Sequence, residues 1–239
     1  MAEAPLVREQ DLSTELDRIE GAVADGATDL GELGFWRLVK RVKLSPTAVQ
    51  RYGDQIGRID AAAFRRGVPR RYPVWLGNLV LAAGVLAGIG AVAIAVAVSS
   101  AVLKGLALVA AGGIWAVSFH CLAHWIVGRV SGIRFSDYFI GGPAPPRPGL
   151  KTDYASYLRA PAERRAWMHA SGAIATKLAP FLPLFFWAAA DAPVWSAVVL
   201  LAIGGGQIVT DVLFSVRSGD WKKVLRERAI AREVAALDD

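Results

Sequence analysis

The sequence has a single cysteine, Cys121. One cysteine excludes an internal disulfide framework, and it excludes a structural zinc site built only from the cysteines of one chain. The first residues also lack the short apolar run and cleavage site of a secretory signal, because mixed charges follow residues 1–5. We therefore expect a chain without disulfides and without a cleaved leader.

Charged residues are missing from three long stretches. Residues 72–103 and 105–128 contain no Asp, Glu, Lys or Arg, and residues 193–215 contain only Asp211. Each stretch reaches or exceeds the roughly 20 apolar residues that cross a bilayer core. With 54% hydrophobic residues overall, the sequence excludes one soluble core and predicts an integral membrane protein.

The predicted fold class is an all-α, polytopic membrane protein with about four transmembrane helices. Pro180 and Pro183 are expected to kink the third span. A short edge-strand-like segment is expected after the second span. The predicted regions are a cytoplasmic helical cap at 1–71, a membrane domain at 72–216 with spans at 74–98, 102–127, 167–190 and 194–216, a cytoplasmic loop at 129–166, and a cytoplasmic amphipathic tail at 217–239.

The N-terminal region divides by charge. Residues 1–34 carry nine acids and two bases, whereas residues 35–71 carry ten bases and two acids. Apolar residues recur at helical spacing in both halves. Ser45-Pro46 is typical of an N-cap followed by proline at the first helical position, so it predicts a helix that ends near Gly67.

Lys and Arg residues cluster beside one side of the predicted spans, and Lys104 is alone on the other side. This distribution predicts that both termini and the central loop are cytoplasmic. We therefore expect the net charge of +6 to interact with anionic membrane lipid and not with nucleic acid. The plasma membrane of a prokaryote is the expected location.

A metal site is predicted from polar residues inside the spans, where such residues are costly and mark function. His120 and His124 are four residues apart, so one helix face presents both imidazoles. Asp211 lies at a similar depth, since each is roughly 7–13 Å from the cytoplasmic boundary at 1.5 Å per residue. Two histidines and one carboxylate leave an open position on a catalytic zinc ion.

Three further residues are candidates for supporting roles. His169 opens the third span and is interpreted as a fourth ligand, a supporting partner or an interfacial histidine. Lys177 is aimed toward the level of Asp211, so a buried Lys177–Asp211 pair is the alternative to Asp211 on the metal. Gln207, one turn before Asp211, is a candidate to orient that carboxylate.

From about Gly113 to Arg228 the sequence resembles the site-2 protease family of intramembrane zinc metalloproteases. The resemblance rests on His120 and His124 in an HxxxH helix, on the segment 132–142 after it, and on a late span with Asp211. It implies that these three residues bind zinc. It also implies that segment 132–142 offers a strand edge to a transmembrane or peptide substrate that has been locally unwound.

Two positions depart from the family pattern. The family motif is HExxH, whose Glu takes a proton from the attacking water, but this position is Cys121. The family also places Gly after its ligand Asp, where this chain has Val212. We therefore interpret the chain as a metal-binding member whose proteolysis is weak or lost.

Three alternatives stay open. The first is an active zinc metalloprotease with a different base, such as Asp137 or Asp153. The second is a haem-binding subunit, with His169 and either His120 or His124 as axial ligands. The third is a membrane scaffold without metal, held by the Lys177–Asp211 pair.

Overall fold

A computed structural model describes residues 4–141, 147–215 and 219–238. The protein is mostly helical, with a small sheet. The helices are α1 (Ala4–Ala24), α2 (Phe35–Lys43), α3 (Pro46–Gly67), α4 (Val74–Ala97), α5 (Ala101–Val130), α6 (Tyr154–Arg159), α7 (Ala162–Leu178), α8 (Val194–Thr210) and α9 (Asp220–Asp238). A 3₁₀-helix (Ala179–Phe186) follows α7, and a π-helix (Asp211–Ser215) follows α8. The strands are β1 (Arg71–Pro73), β2 (Phe135–Gly141) and β3 (Arg147–Thr152).

The chain forms two compact units. The first contains Met1–Tyr72, Gly132–Ala162 and Ala229–Asp239, and the second contains Pro73–Ser131 and Glu163–Arg228. The N-terminal region, most of the central loop and the end of the tail therefore share one unit.

The first unit is built around the apolar faces of α1, α2 and α3. Leu16, Ile19, Phe35 and Ile56 are fully buried in its core. The helix predicted from Ser45-Pro46 is confirmed: α3 spans Pro46–Gly67, and the Ser45 hydroxyl accepts a hydrogen bond from the Ala48 N–H at 3.3 Å. The cap satisfies an N–H that has no partner within the helix.

The predicted strand after the second span exists, but its predicted position at a sheet edge is wrong. The strand order is β1-β2-β3, so β2 is the central strand. It pairs antiparallel with β3, where Tyr138 lies opposite Leu150, and the Ile140 N–H donates to the Arg70 carbonyl at 3.2 Å. Both sides of β2 are therefore occupied. Residues 142–146, between β2 and β3, lie outside the described residues.

Within the described part of the second unit, three helical segments are long and apolar enough to cross a membrane: Val74–Ala97, Ala101–Val130 and Val194–Phe214. They coincide with the predicted first, second and fourth spans, except that Val216 lies outside the described residues. Large apolar side chains stay exposed on them, such as Trp75 at 67% and Leu86 at 68%. Such surfaces are typical of helices that face lipid.

The segment predicted as the third span is interrupted. Helix α7 ends at Leu178, and the chain continues as the 3₁₀-helix that contains Pro180 and Pro183. Proline lacks the N–H that an α-helix needs and clashes with the preceding turn. The kink predicted at these prolines is therefore a complete change of helix type.

The core of the second unit joins α4, α5, the 3₁₀-helix and α8. Leu108, Ala111 and Leu200 are fully buried there. Gly204 makes room for the Phe181 ring, because a Cβ at this position would lie 2.4 Å from it. Small residues that let elements approach closely are typical of membrane helices.

Candidate metal centre

Helix α5 carries both candidate histidines on the face that meets α7. His120 and His124 are one turn apart, and their rings stand edge to face with centroids 4.7 Å apart. The HxxxH spacing therefore brings the two imidazoles together, as the sequence predicts.

Each imidazole is held through its Nδ1 atom by an acceptor on α7. His124 Nδ1 lies 2.6 Å from the Met168 carbonyl oxygen. His120 Nδ1 lies 2.9 Å from Thr176 Oγ1 and 3.2 Å from the Gly172 carbonyl oxygen. Because a carbonyl can only accept, these contacts assign the proton to Nδ1 and leave the Nε2 lone pair available. Metal-binding histidines are oriented in this way.

The third member of the cluster is Asp220, the first residue of α9. Its Oδ2 lies 3.3 Å from His124 Nε2 and 3.7 Å from His120 Nε2. One atom from each of the three residues lies within 4.8 Å of the others. Tetrahedral zinc with bonds of 2.0–2.1 Å separates its ligand atoms by about 3.3 Å. The two nitrogens and one carboxylate oxygen are a donor set that zinc accepts, and the separations of 3.3 and 3.7 Å are near this value.

The environment of Asp220 favours a carboxylate. Burial by itself would raise its pKa, but the hydrogen bond and charge that His124 provides when its Nε2 also carries a proton, together with Lys223, lower the pKa below its ordinary value. Lys223 Nζ lies 3.0 Å from the Asp220 Oδ1 atom. A group with a lowered pKa is ionised at neutral pH, which is the form that binds a metal.

Helix α9 is fixed against α7 by a buried ion pair. Arg165 Nε lies 2.6 Å from Glu227 Oε2, and the two side chains are 4% and 0% exposed. Beside this pair, Val224 packs with Ala166 and Ala170. Glu227 is seven residues after Asp220, which is close to two helical turns, so both lie on one face of α9. This anchor sets where Asp220 meets the histidines.

Asp211, predicted as the third ligand, lies elsewhere. Its Oδ2 is 2.8 Å from Lys177 Nζ and accepts a hydrogen bond from Trp221 Nε1. The structure thus forms the Lys177–Asp211 pair that was the alternative, and Asp220 takes the place beside the histidines. A position along one helix gives depth but not direction, and the Asp211 carboxylate faces Lys177 instead of the imidazoles.

The other predicted residues lie around this cluster. His169 is buried, and its ring centroid is 6.3 Å from that of His124. Gln207 Oε1 is buried without a hydrogen-bond partner among the described residues, so no contact of that atom with Asp211 is seen. Cys121, at the position of the family's Glu, is buried next to His120 in α5.

Sequence reasoning missed Asp220, Arg165 and Glu227. The one available signal is the pair Gly219-Asp220 before the periodic tail, which marks a helix start. An acidic residue there is ordinarily explained by the helix dipole. Nothing in the tail indicates that this helix returns to α5.

No protein-family model, curated protein or solved structure matches the chain.

Proposed function

We propose that the chain is a membrane metalloprotein of the site-2 protease type, which binds one zinc ion through His120, His124 and Asp220. Its cleavage of transmembrane substrates is slow or lost. One observation carries the proposal: both Nδ1 atoms are held by acceptors on α7, while both Nε2 atoms converge on one carboxylate oxygen.

Zinc at such a site supplies a Lewis acid for a peptide carbonyl and activates water. The other contributions come from side chains and backbone groups of the protein. Met168 and Thr176 orient the imidazoles, and Asp220 provides negative charge. Cys121 provides no carboxylate to accept a proton, and a missing general base costs a factor of about 10²–10⁴.

The second unit is proposed to cross the membrane four times. At one end, Lys104 Nζ lies 3.8 Å from Asp191 Oδ2, so the α4–α5 link and the link before α8 meet there. At the other end, His124 contacts Met168 near the start of α7. From Lys104 to His124, α5 rises roughly 30 Å, the thickness of a bilayer core. The segment from α7 to the 3₁₀-helix covers the same distance and serves as the third span.

The proposed location is the plasma membrane of a prokaryote, with both termini in the cytoplasm, where the basic residues meet anionic lipid. The metal-free scaffold is the second candidate, since the Lys177–Asp211 pair on which it depends is present. That pair is compatible with zinc binding, because Asp211 is not needed as a ligand.

Zinc content tests the proposal. The purified wild-type protein should hold about one equivalent of zinc by elemental analysis, and His120→Ala should lose it, because one nitrogen ligand is gone. His169→Ala is the matched control, as it removes an imidazole outside the cluster. A full equivalent of zinc in His120→Ala would refute the proposed zinc site. A Soret band in the wild-type absorption spectrum would favour the hypothesis of a haem-binding subunit.

Gly172→Ala should weaken zinc binding by about 10–100-fold, the effect expected when an orienting contact is lost. A Cβ at Gly172 would lie 2.3 Å from His124 Nε2, so the ring must move. Gly113→Ala on α5 is the control, because its Cβ meets nothing within 4 Å. Competition with a chelator measures both. Equal zinc affinities of Gly172→Ala and Gly113→Ala would contradict the proposal that zinc binding depends on where the His124 ring lies.

Membrane orientation is tested by cysteine labelling at Ser99, in a chain with Cys121 replaced. Ser99 is exposed in the α4–α5 link, whereas Ser100 caps α5 by accepting from the Leu103 N–H. An impermeant maleimide should label Ser99→Cys from outside intact cells. Labelling only after the cells are opened would invert the proposed topology.

A further inference from the structure

The Asp211 carboxylate contacts two neighbouring helices through one oxygen atom. Its Oδ2 lies 2.8 Å from Lys177 Nζ on α7, and the same oxygen accepts a hydrogen bond from the indole N–H of Trp221 on α9. Lys177 and Asp211 are 19% and 15% exposed. A buried ion pair contributes little net stability against an apolar replacement, so stability alone does not explain why the pair is present. What the pair provides is a fixed acceptor for Trp221.

Trp221 directly follows Asp220, the carboxylate of the candidate metal centre. Consecutive Cα atoms are about 3.8 Å apart, and an indole turns about only two side-chain torsions. An indole that is held at its Nε1 atom therefore restricts the backbone from which the Asp220 side chain projects. The Trp221 ring also packs against the apolar contact between α9 and α7, which is formed by Val224, Ala166 and Ala170.

Helix α9 is attached to its neighbours at two separate points. The Arg165–Glu227 pair holds it about 10 Å along the helix axis from Asp220. One point of attachment leaves a helix free to pivot, and the ends of helices fray. The hydrogen bond from Trp221 to Asp211 is the second point, and it lies beside the first residue of α9. It joins this helix to the end of α8, which the Arg165–Glu227 pair does not reach.

We propose that Asp211 is a positioning residue for the metal centre, because it holds Asp220 beside the two imidazoles through Trp221. Lys177 in turn orients the Asp211 carboxylate. The π-helix begins at Asp211, and π-helical turns occur frequently at functional sites. This inference rests on the proposed zinc site. It gives Asp211 a role one step away from the metal, in place of the direct ligation that the sequence predicts.

Trp221→Phe should weaken zinc binding by about 10–100-fold, the loss that follows removal of an orienting partner. The substitution keeps an aromatic ring against α7 but removes the N–H donor. Chelator competition on the full chain in lipid nanodiscs measures the affinity. Trp75→Phe is the matched control, since Trp75 is 67% exposed on α4, and it should bind zinc as tightly as the wild type. An unchanged affinity of Trp221→Phe would overturn the positioning role.

The acceptor is tested in a chain with Lys177→Met, so that no ammonium is left without its acidic partner. In this background Asp211→Leu should bind zinc about 10–100-fold more weakly than Asp211→Asn, because the amide oxygen of asparagine still accepts the indole N–H. Trp221→Phe added to Asp211→Leu should cost nothing further, since both changes remove one contact. Equal affinities of the asparagine and leucine variants, or losses that multiply, would contradict the proposal.

The NMR signal of the Trp221 indole N–H separates failure of this inference from failure of the proposed function. The signal is assigned by its absence in Trp221→Phe, and its measurement needs no zinc. In the metal-free Lys177→Met chain, Asp211→Leu should shift the signal relative to Asp211→Asn, because the N–H loses its acceptor. An unshifted signal would overturn the contact and the positioning role alone. A wild-type protein that binds no zinc would overturn the proposed function and this role together.

Discussion

Cys121→Glu should raise the cleavage of a helix-destabilised transmembrane substrate by up to about 10²–10⁴-fold over the wild type. The substitution places a carboxylate directly after His120, which is the relation found in the HExxH motif of the family that the chain resembles. The wild type should be weak or silent, because the Cys121 thiol does not replace a carboxylate base. Gel-based cleavage in proteoliposomes measures the rates.

Cys121→Gln is the control for this experiment. It has the same size as the glutamate variant but lacks the charge, so it should stay silent. Both variants enlarge a buried side chain, and their zinc contents should be compared to show that the site is intact. Robust wild-type cleavage that depends on His120 and His124 would refute the proposal that proteolysis is slow or lost. Silence of zinc-loaded Cys121→Glu would favour a binding role without hydrolysis.

Asp220→Asn should lose zinc, whereas Asp211→Asn should keep it. The reason is geometric: Asp220 lies 3.3 and 3.7 Å from the two Nε2 atoms, while Asp211 is paired with Lys177. Losing a ligand should cost more than the 10–100-fold that follows loss of an orienting partner. Zinc affinity by chelator competition decides between the two carboxylates.

The two variants control each other, since each exchanges one partly buried carboxylate for an amide of the same size. Asp211→Asn should lower thermal stability instead, because it leaves the ammonium of Lys177 without its acidic partner, a change that costs roughly 3–5 kcal/mol in buried pairs. If Asp211→Asn lost zinc and Asp220→Asn retained it, the assignment made from the sequence would stand and the cluster with Asp220 would be incidental.

The prediction from the sequence and the structure differ in which carboxylate lies beside the two histidines. The sequence favours Asp211 because it is the only acid inside a predicted span and shares the depth of the histidines. Asp220 falls in the tail, whose periodic pattern predicts a helix but gives no direction for it. The residue that orients this tail is Glu227, which is fully buried against Arg165. A pairing between residues 62 positions apart has no local signature in one sequence.

The features that can be predicted from the sequence are those determined by residues close together along the chain. Stretches of more than 20 residues with at most one charged residue produce the long apolar helices. Ser45-Pro46 starts α3, HxxxH spacing joins two imidazoles, and Pro180 with Pro183 ends α7. Each depends on residues that are close along the chain, so composition and spacing are sufficient.

Tertiary structure decided which distant groups meet. It placed β2 between β1 and β3 instead of at an edge, it paired Asp211 with Lys177, and it brought Asp220 to the histidines. These outcomes depend on packing between distant elements. The buried contact of α9 with α7 sets the position of Asp220, and the charge of Lys177 faces Asp211.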